Sequence, residues 1–256
     1  MGSVFVAFVA VAYAHEPASP GEIALPAVPY GSAGDAAPAA VQTGSATPVS
    51  LSNPNGVSRY MAVLQPTVAR AAPSASARVV ARVSTRTPEG TTNVVLALSR
   101  VERGGRLWIK ARLPVLPNNT TGWIRRDSLG GYNAVNTHLV ISTKRYTATL
   151  YRLGKPVFNA RIGIGESRWP TPTGRFYIRN KLTRYSSPAY GPIAFGTSAR
   201  SAVLTDWPAG GFIGIHGTNQ PGLIPGRISH GCIRLRNADI VRLAQLMSPG
   251  TPLTIV

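Results

Sequence analysis

The sequence predicts a mainly-β protein built as two folded parts behind an extended leader, and three observations carry that reading. From Arg59 to the C-terminus, short apolar runs rich in Val and Ile alternate with turns rich in Gly, Pro and Asn. Only "NADIVRLAQLM" (237–247) spaces its apolar residues (Ile240, Val241, Leu243, Ala244 and Met247) at a helical period. Before about residue 57 the chain is dominated by Ala, Pro, Ser and Gly and loses apolar periodicity altogether.

The first segment, residues 1–14, holds an unbroken apolar run from Val4 that ends in Ala12-Tyr13-Ala14, a small-x-small cleavage pattern. A bilayer span takes ~20 residues, so the run is too short to cross. It suits an export signal, although a positive n-region is missing; the alternative is a short buried strand or helix. Residues 15–57 read as a Pro/Ala/Ser-rich linker. Export would place the protein in the cell wall or extracellular space, with the membrane touched only through this signal. A monomer is expected.

Residues 58–131 carry the strand-like runs "RVVARVS", "NVVLALSRVE", "RLWIKARLP" and "TGWIRRDSL", parted by Pro88-Glu89-Gly90, Gly104-Gly105 and "PNNTTG". This spacing suggests a small β-barrel or sandwich. The pair "RLWIKARLP" and "TGWI" resembles the closing strands of a bacterial SH3-like domain, which implies a wall- or peptide-binding module, or a spacer. Residues 136–256 continue with "THLVISTKRYTATLYR", "KPVFNARIGIG", "GRFYIRNKL", "GFIGIHG", "RISHGCIRL" and "TPLTIV". Asn237 is placed to cap the late helix, Asp239 suits its first turn and Pro249-Gly250 ends it.

Charge is the second strong statement. The net charge is +18, no Lys or Arg precedes Arg59, and six of the nine acidic residues face 27 basic ones from there on. Such a field draws polyanions; a high-GC coding bias toward Arg explains it equally well. No basic and aromatic residues interleave in the manner of a nucleic-acid module, so nucleic acid is not an expected partner.

The chemistry gathers in "HGTNQPGLIPGRISHGCIRLRN" (216–237), which holds the sole cysteine of the chain. Read as one strand, "ISHGCIRL" places Ser229, Gly231 and Ile233 on one face and His230, Cys232 and Arg234 on the other. A thiol between an imidazole and a guanidinium is expected to have its pKa drawn down from ~8.5. Amides at Gly231 and Cys232 suit an oxyanion. His216 shares a face with Phe212 and Gly214 and reaches the sulfur if the two strands are neighbours. A nucleophilic Cys–His pair needs only contact in space. Acidic residues are scarce, so a backbone carbonyl is expected to hold the imidazole. A zinc site from His216, His230 and Cys232 is the weaker alternative, since His-x-Cys on one strand gives poor tetrahedral geometry; a buried structural cysteine is the other.

Taken together, His216-Gly217-Thr218, the gap, and Ser229-His230-Gly231-Cys232-Ile233-Arg234 resemble the signature of the L,D-transpeptidase catalytic domain, the YkuD family. "TPTGRFYI" (171–178) and "YGPIAF" (190–195) resemble two further segments of that family. The resemblance implies a YkuD-like β-sandwich or barrel. It implies Cys232 as nucleophile, His216 as base, and the Gly217 carbonyl orienting that base. Gly231, His230 and Ser229 would form or support the oxyanion site, and Arg234, Tyr190 and Thr218 would contact substrate. The family's reaction is acyl transfer on peptidoglycan stem tetrapeptides, with loss of terminal D-Ala through a thioester and 3→3 cross-linking. No metal or organic cofactor is implied. Anionic wall polymers are a further expected partner, and carbapenems are expected to acylate the thiol. L,D-carboxypeptidase activity and non-catalytic wall binding are the alternatives.

Overall fold

The computed structural model describes residues 47–183, 185, 187–204 and 211–256. The expected export signal and most of the linker lie outside the described residues, as does Asp206.

An N-terminal β module contains β1 (Val49–Ser50), β2 (Ser58–Ala62), β3 (Thr67–Arg70), β4 (Val79–Val83), β5 (Val94–Arg103), β6 (Arg106–Arg112), β7 (Thr121–Arg125) and β8 (Asn133–Val135). They form one antiparallel sheet in the order β4-β3-β7-β6-β5-β2-β8, with β1 added to β5. Met61, Val95, Ile109 and Ile124 meet in its core. The linker ends earlier than residue 57, because β1 pairs with β5 and Leu51 is buried in that core. The module likewise runs past residue 131, since β8 pairs with β2.

The C-terminal module contains β9 (Thr137–Ser142), β10 (Thr147–Arg152), β11 (Lys155–Arg161), β12 (Gly163–Gly165), β13 (Gly174–Leu182), β14 (Ala194–Arg200), β15 (Phe212–His216), β16 (Gly226–Ser229), β17 (Ile233–Arg234), α1 (Asn237–Leu246) and β18 (Pro252–Ile255). Ten strands make one mixed sheet in the order β11-β10-β9-β18-β13-β14-β15-β17-β12-β16. Pairs β18–β9, β15–β17 and β12–β16 are parallel. The apolar stripe of α1, chiefly Ile240, Leu243 and Ala244, lies in the same core as Leu139, Ile178, Phe195 and Ile233.

Two sequence expectations change here. "ISHGCIRL" is not one strand: β16 ends at Ser229, the chain bends at His230-Gly231, and β17 begins at Ile233. Gly231 has φ +113°, which L side chains rarely adopt. Asn237 does not cap α1; Arg236 occupies the cap position without a side-chain bond, and the Asn237 side chain is engaged elsewhere.

The two modules share a buried polar and aromatic boundary. Tyr177, on β13, is fully buried among Val94, Leu96, Tyr60 and Leu98. Its hydroxyl donates to the Val94 carbonyl at 2.9 Å, and burial pushes its pKa well above the ordinary value. Asn118 Nδ2 donates to the Arg200 carbonyl and its Oδ1 accepts the Arg200 amide. The N-terminal module, expected to bind wall or peptide or to act as a spacer, is packed onto β13 and β14. Tyr177→Phe leaves the Val94 carbonyl without this partner and should cost about 1–3 kcal/mol in denaturant unfolding. The intact protein should unfold in one transition; two separated transitions would show the modules to be independent.

Candidate active site

The site forms where β15 and β17 run side by side. Their parallel register sets Ile215 beside Ile233 and His216 beside Arg234, so the two strands expected to bring base and thiol together are neighbours. Ile213 and Ile215 point into the core, while Phe212, Gly214 and His216 line the clefts that Cys232 also lines.

His216 is 3% exposed. Its Nδ1 lies 2.6 Å from the Gly217 carbonyl. A carbonyl can only accept, so Nδ1 carries the proton and Nε2 keeps the lone pair. Burial lowers the imidazole pKa to about 4; the Gly217 carbonyl opposes that shift and Arg234 reinforces it. The ring is therefore neutral at neutral pH, in the tautomer a base requires. The Tyr190 ring packs over it at 4.5 Å, and Tyr185 meets Tyr190 edge-on.

Glycine at 217 is a steric necessity. A Cβ there would collide with Asn237 Oδ1 and lie 3.1 Å from Gly191 Cα. The same Asn237 Oδ1 accepts the Thr218 amide at 2.9 Å, so α1 reaches back to fix the turn that presents the Gly217 carbonyl. Thr218 was expected on the substrate side. It is instead 1% exposed, with its hydroxyl accepting the Gln220 amide, and it closes the turn.

Cys232 sits just after the bend. The Gly214 amide donates to its Sγ at 3.3 Å, and a Cβ at Gly214 would lie 3.6 Å from both that sulfur and His216 Cδ2. Burial raises the thiol pKa, and the Gly214 amide and Arg234 only partly offset it. This overturns the expectation of a thiol depressed toward neutrality: desolvation outweighs the nearby guanidinium. The resting pair is a thiol and a neutral imidazole.

The bend is clamped from both sides. Ser229 Oγ donates to the Cys232 carbonyl at 2.6 Å and accepts the Gly231 amide at 3.1 Å. Thr171 Oγ1 donates to the Gly231 carbonyl at 2.7 Å and accepts the Gly165 amide at 2.9 Å. The Gly231 amide, expected as an oxyanion donor, is thus occupied by Ser229. His230 is exposed and stacks on Trp169 at 3.9 Å, with Arg168 on the same indole at 3.6 Å. Arg234 lines the cleft, and its buried Nε has no hydrogen-bond partner among the described residues. Among the described residues, no three His, Cys, Asp or Glu side chains are grouped to hold a metal.

The arrangement is a thiol and a neutral base in a cleft that Arg234 also lines, on a loop whose backbone is held in place. Comparison with known proteins shows what this region is similar to. Residues 136–255 match the family model of the L,D-transpeptidase catalytic domain, YkuD. A Bacillus subtilis relative bearing the YkuD name is 34% identical over 118 residues, 46% of this chain and 65% of that protein. An Escherichia coli relative named YcfS is 35% identical over 86 residues, 34% of this chain and 27% of its own length. The chain thus spans less than two thirds of either relative. The solved catalytic domain of an E. faecium L,D-transpeptidase is 23% identical with a TM-score of 0.37, covering 47% of this chain and 96% of that one.

Within the matched region, Thr171, Gly214 and Asn237 were not assigned these roles from sequence. Thr171 lies inside the matched "TPTGRFYI" segment, and Gly214 alternates with His216, so both left a signal; Asn237 was masked by its place beside a helix.

A raised thiol pKa predicts that iodoacetamide alkylation of Cys232 keeps accelerating as pH rises beyond 9. A plateau beginning near pH 5 would instead show a preformed thiolate–imidazolium pair. Gly214→Ala should fold normally yet slow acyl transfer about tenfold or more, because its methyl sits between sulfur and imidazole; unchanged rates would remove Gly214 from the site.

Proposed function

We propose that the C-terminal module is a YkuD-family L,D-transpeptidase domain that performs cysteine-dependent acyl transfer on peptidoglycan stem tetrapeptides, releasing terminal D-Ala and forming 3→3 cross-links. The supporting observation is the His216–Gly217 hydrogen bond, which sets a neutral imidazole with a free Nε2 in the cleft lined by Cys232.

Because the thiol is held protonated and the imidazole is a weak base, the proton leaves Sγ as the carbon–sulfur bond forms rather than before it. Sγ attacks the carbonyl between the L-centre of the diamino acid and D-Ala, and Nε2 takes the proton. The Cys232 amide serves the oxyanion, since the Gly231 amide is bound to Ser229. Collapse returns the proton to the departing D-Ala nitrogen and leaves the thioester. Arg234, with its buried unpartnered Nε, receives the substrate carboxylate. An amine nitrogen then attacks the thioester, gives a proton to His216, and thiolate departs and is reprotonated.

Water as the acceptor would make the same site an L,D-carboxypeptidase. Export through the N-terminal segment, and attraction of the +18 chain to anionic wall polymers, belong to the same reading; wall binding should then weaken with salt.

The test is incubation with purified disaccharide-tetrapeptide followed by mass analysis. Loss of D-Ala with a dimeric product supports transfer, and loss without a dimer supports hydrolysis. Cys232→Ala should abolish both. A carbapenem should add its mass to Cys232; no adduct and no D-Ala loss would leave a wall-binding protein. Asn237→Ala, which frees the turn carrying Gly217, should lower the acylation rate about tenfold with the thiol still accessible to alkylation.

A further inference from the structure

The cleft beside Cys232 has a wall that the YkuD domain does not make. A cleft of about 300 Å³ is lined by Cys232, His216, Tyr190, Phe212 and, from the N-terminal module, Glu89. Among the described residues Glu89 is the only carboxylate lining either cleft at the cysteine.

Glu89 is held there by an unusual amount of structure. It belongs to the Pro88-Glu89-Gly90 turn between β4 and β5, where Gly90 has φ +79° and its amide donates to the Thr87 carbonyl. Arg179 Nη2, on a side chain 2% exposed, donates to Glu89 Oε1 at 3.0 Å and Oε2 at 2.8 Å. Asn180 Nδ2 lies 3.0 Å from Oε2 and 3.0 Å from Thr91 Oγ1, while its Oδ1 accepts the Gly196 amide. The Arg179 guanidinium also lies over Phe212 at 3.7 Å, and Phe212 lines both clefts that Cys232 lines. So β13 of one module orients a carboxylate of the other. The Glu89 side chain keeps 19% of its surface exposed, and Oε1 accepts no described bond beyond the one from Arg179.

We propose that Glu89 is a specificity-determining residue that receives the ammonium group of an amine-bearing peptide in this cleft. Resting on the acyl-transfer reading, it selects a cationic acceptor in a chain whose overall positive field would otherwise repel one. Its effect falls on binding. The ammonium is drawn in and releases one proton to solvent; the neutral nitrogen then attacks the thioester, its second proton passes to His216 as the new carbon–nitrogen bond replaces the carbon–sulfur bond, and the departing thiolate takes that proton back.

Two arms test this on the full chain. In the first, Cys232→Ala protein is titrated with Nα-acetyl-L-lysine amide and with Nα-acetyl-L-norleucine amide, followed by NMR shift perturbation. The lysine probe should bind about fivefold more tightly. Glu89→Gln, which keeps an oxygen for Arg179, should abolish that preference, and Glu89→Asp should retain part of it. An equal loss for both probes with a lower melting temperature, or an unchanged preference, would overturn the proposal and leave Glu89 as a partner of Arg179 alone. In the second arm, with stem tetrapeptide as donor, Glu89→Gln should raise KM for a diamine acceptor about fivefold while kcat, and the KM for neutral hydroxylamine, stay put. Probe preference without any transfer would refute acyl transfer but uphold Glu89; transfer without preference would do the reverse.

Discussion

The hydrogen bond between His216 Nδ1 and the Gly217 carbonyl governs the rest of the site. A carbonyl in place of a carboxylate orients the ring without adding charge, so it offsets the desolvation of an imidazolium only in part and the base stays neutral. The surrounding architecture serves the position of that one oxygen. It needs glycine at 217 because Asn237 and Gly191 occupy the space a side chain would take. It needs α1 because Asn237 holds the following amide, and it needs the sheet because the parallel register of β15 and β17 brings base and thiol to one cleft.

The thiol shows the same economy. Its environment contains a guanidinium, yet burial dominates and the group is kept protonated. A nucleophile that stays protonated at rest is shielded from the oxidants and stray electrophiles to which thiolates are prone. Reactivity is then conditional on a carbonyl arriving within reach of both sulfur and imidazole.

Much of this was legible in the sequence, for physical reasons that also mark where legibility ends. The strands of "GRFYIRNKL" and "GFIGIHG" and the helix of "NADIVRLAQLM" announce themselves because apolar periodicity follows directly from a buried face. The Cys–His pairing was legible through the motif. The break at Gly231 was not: the alternation of "ISHGCIRL" continues across it, and a positive φ at glycine leaves no mark in hydrophobicity. The direction of the thiol's shift was missed because Arg234 is visible in sequence whereas burial is a property of the whole fold. Thr218 and Asn237 changed roles because side-chain polarity says that a partner is needed, not which one. Glu89 was invisible for the most basic reason: it reaches the cleft from another module, through a contact with Arg179 that no local pattern encodes.

That contact also bears on where one folding unit stops. Resemblance to the YkuD family begins at residue 136, and a fragment cut there would seem to be a self-sufficient enzyme. It would inherit Arg179 as a cation without its counter-charge, Tyr177 with its hydroxyl facing a missing carbonyl, and a cleft open along one wall. The stretch that looks like a family and the stretch that behaves as a molecule are different lengths of chain. In this protein the seam between them runs through the cleft at Cys232.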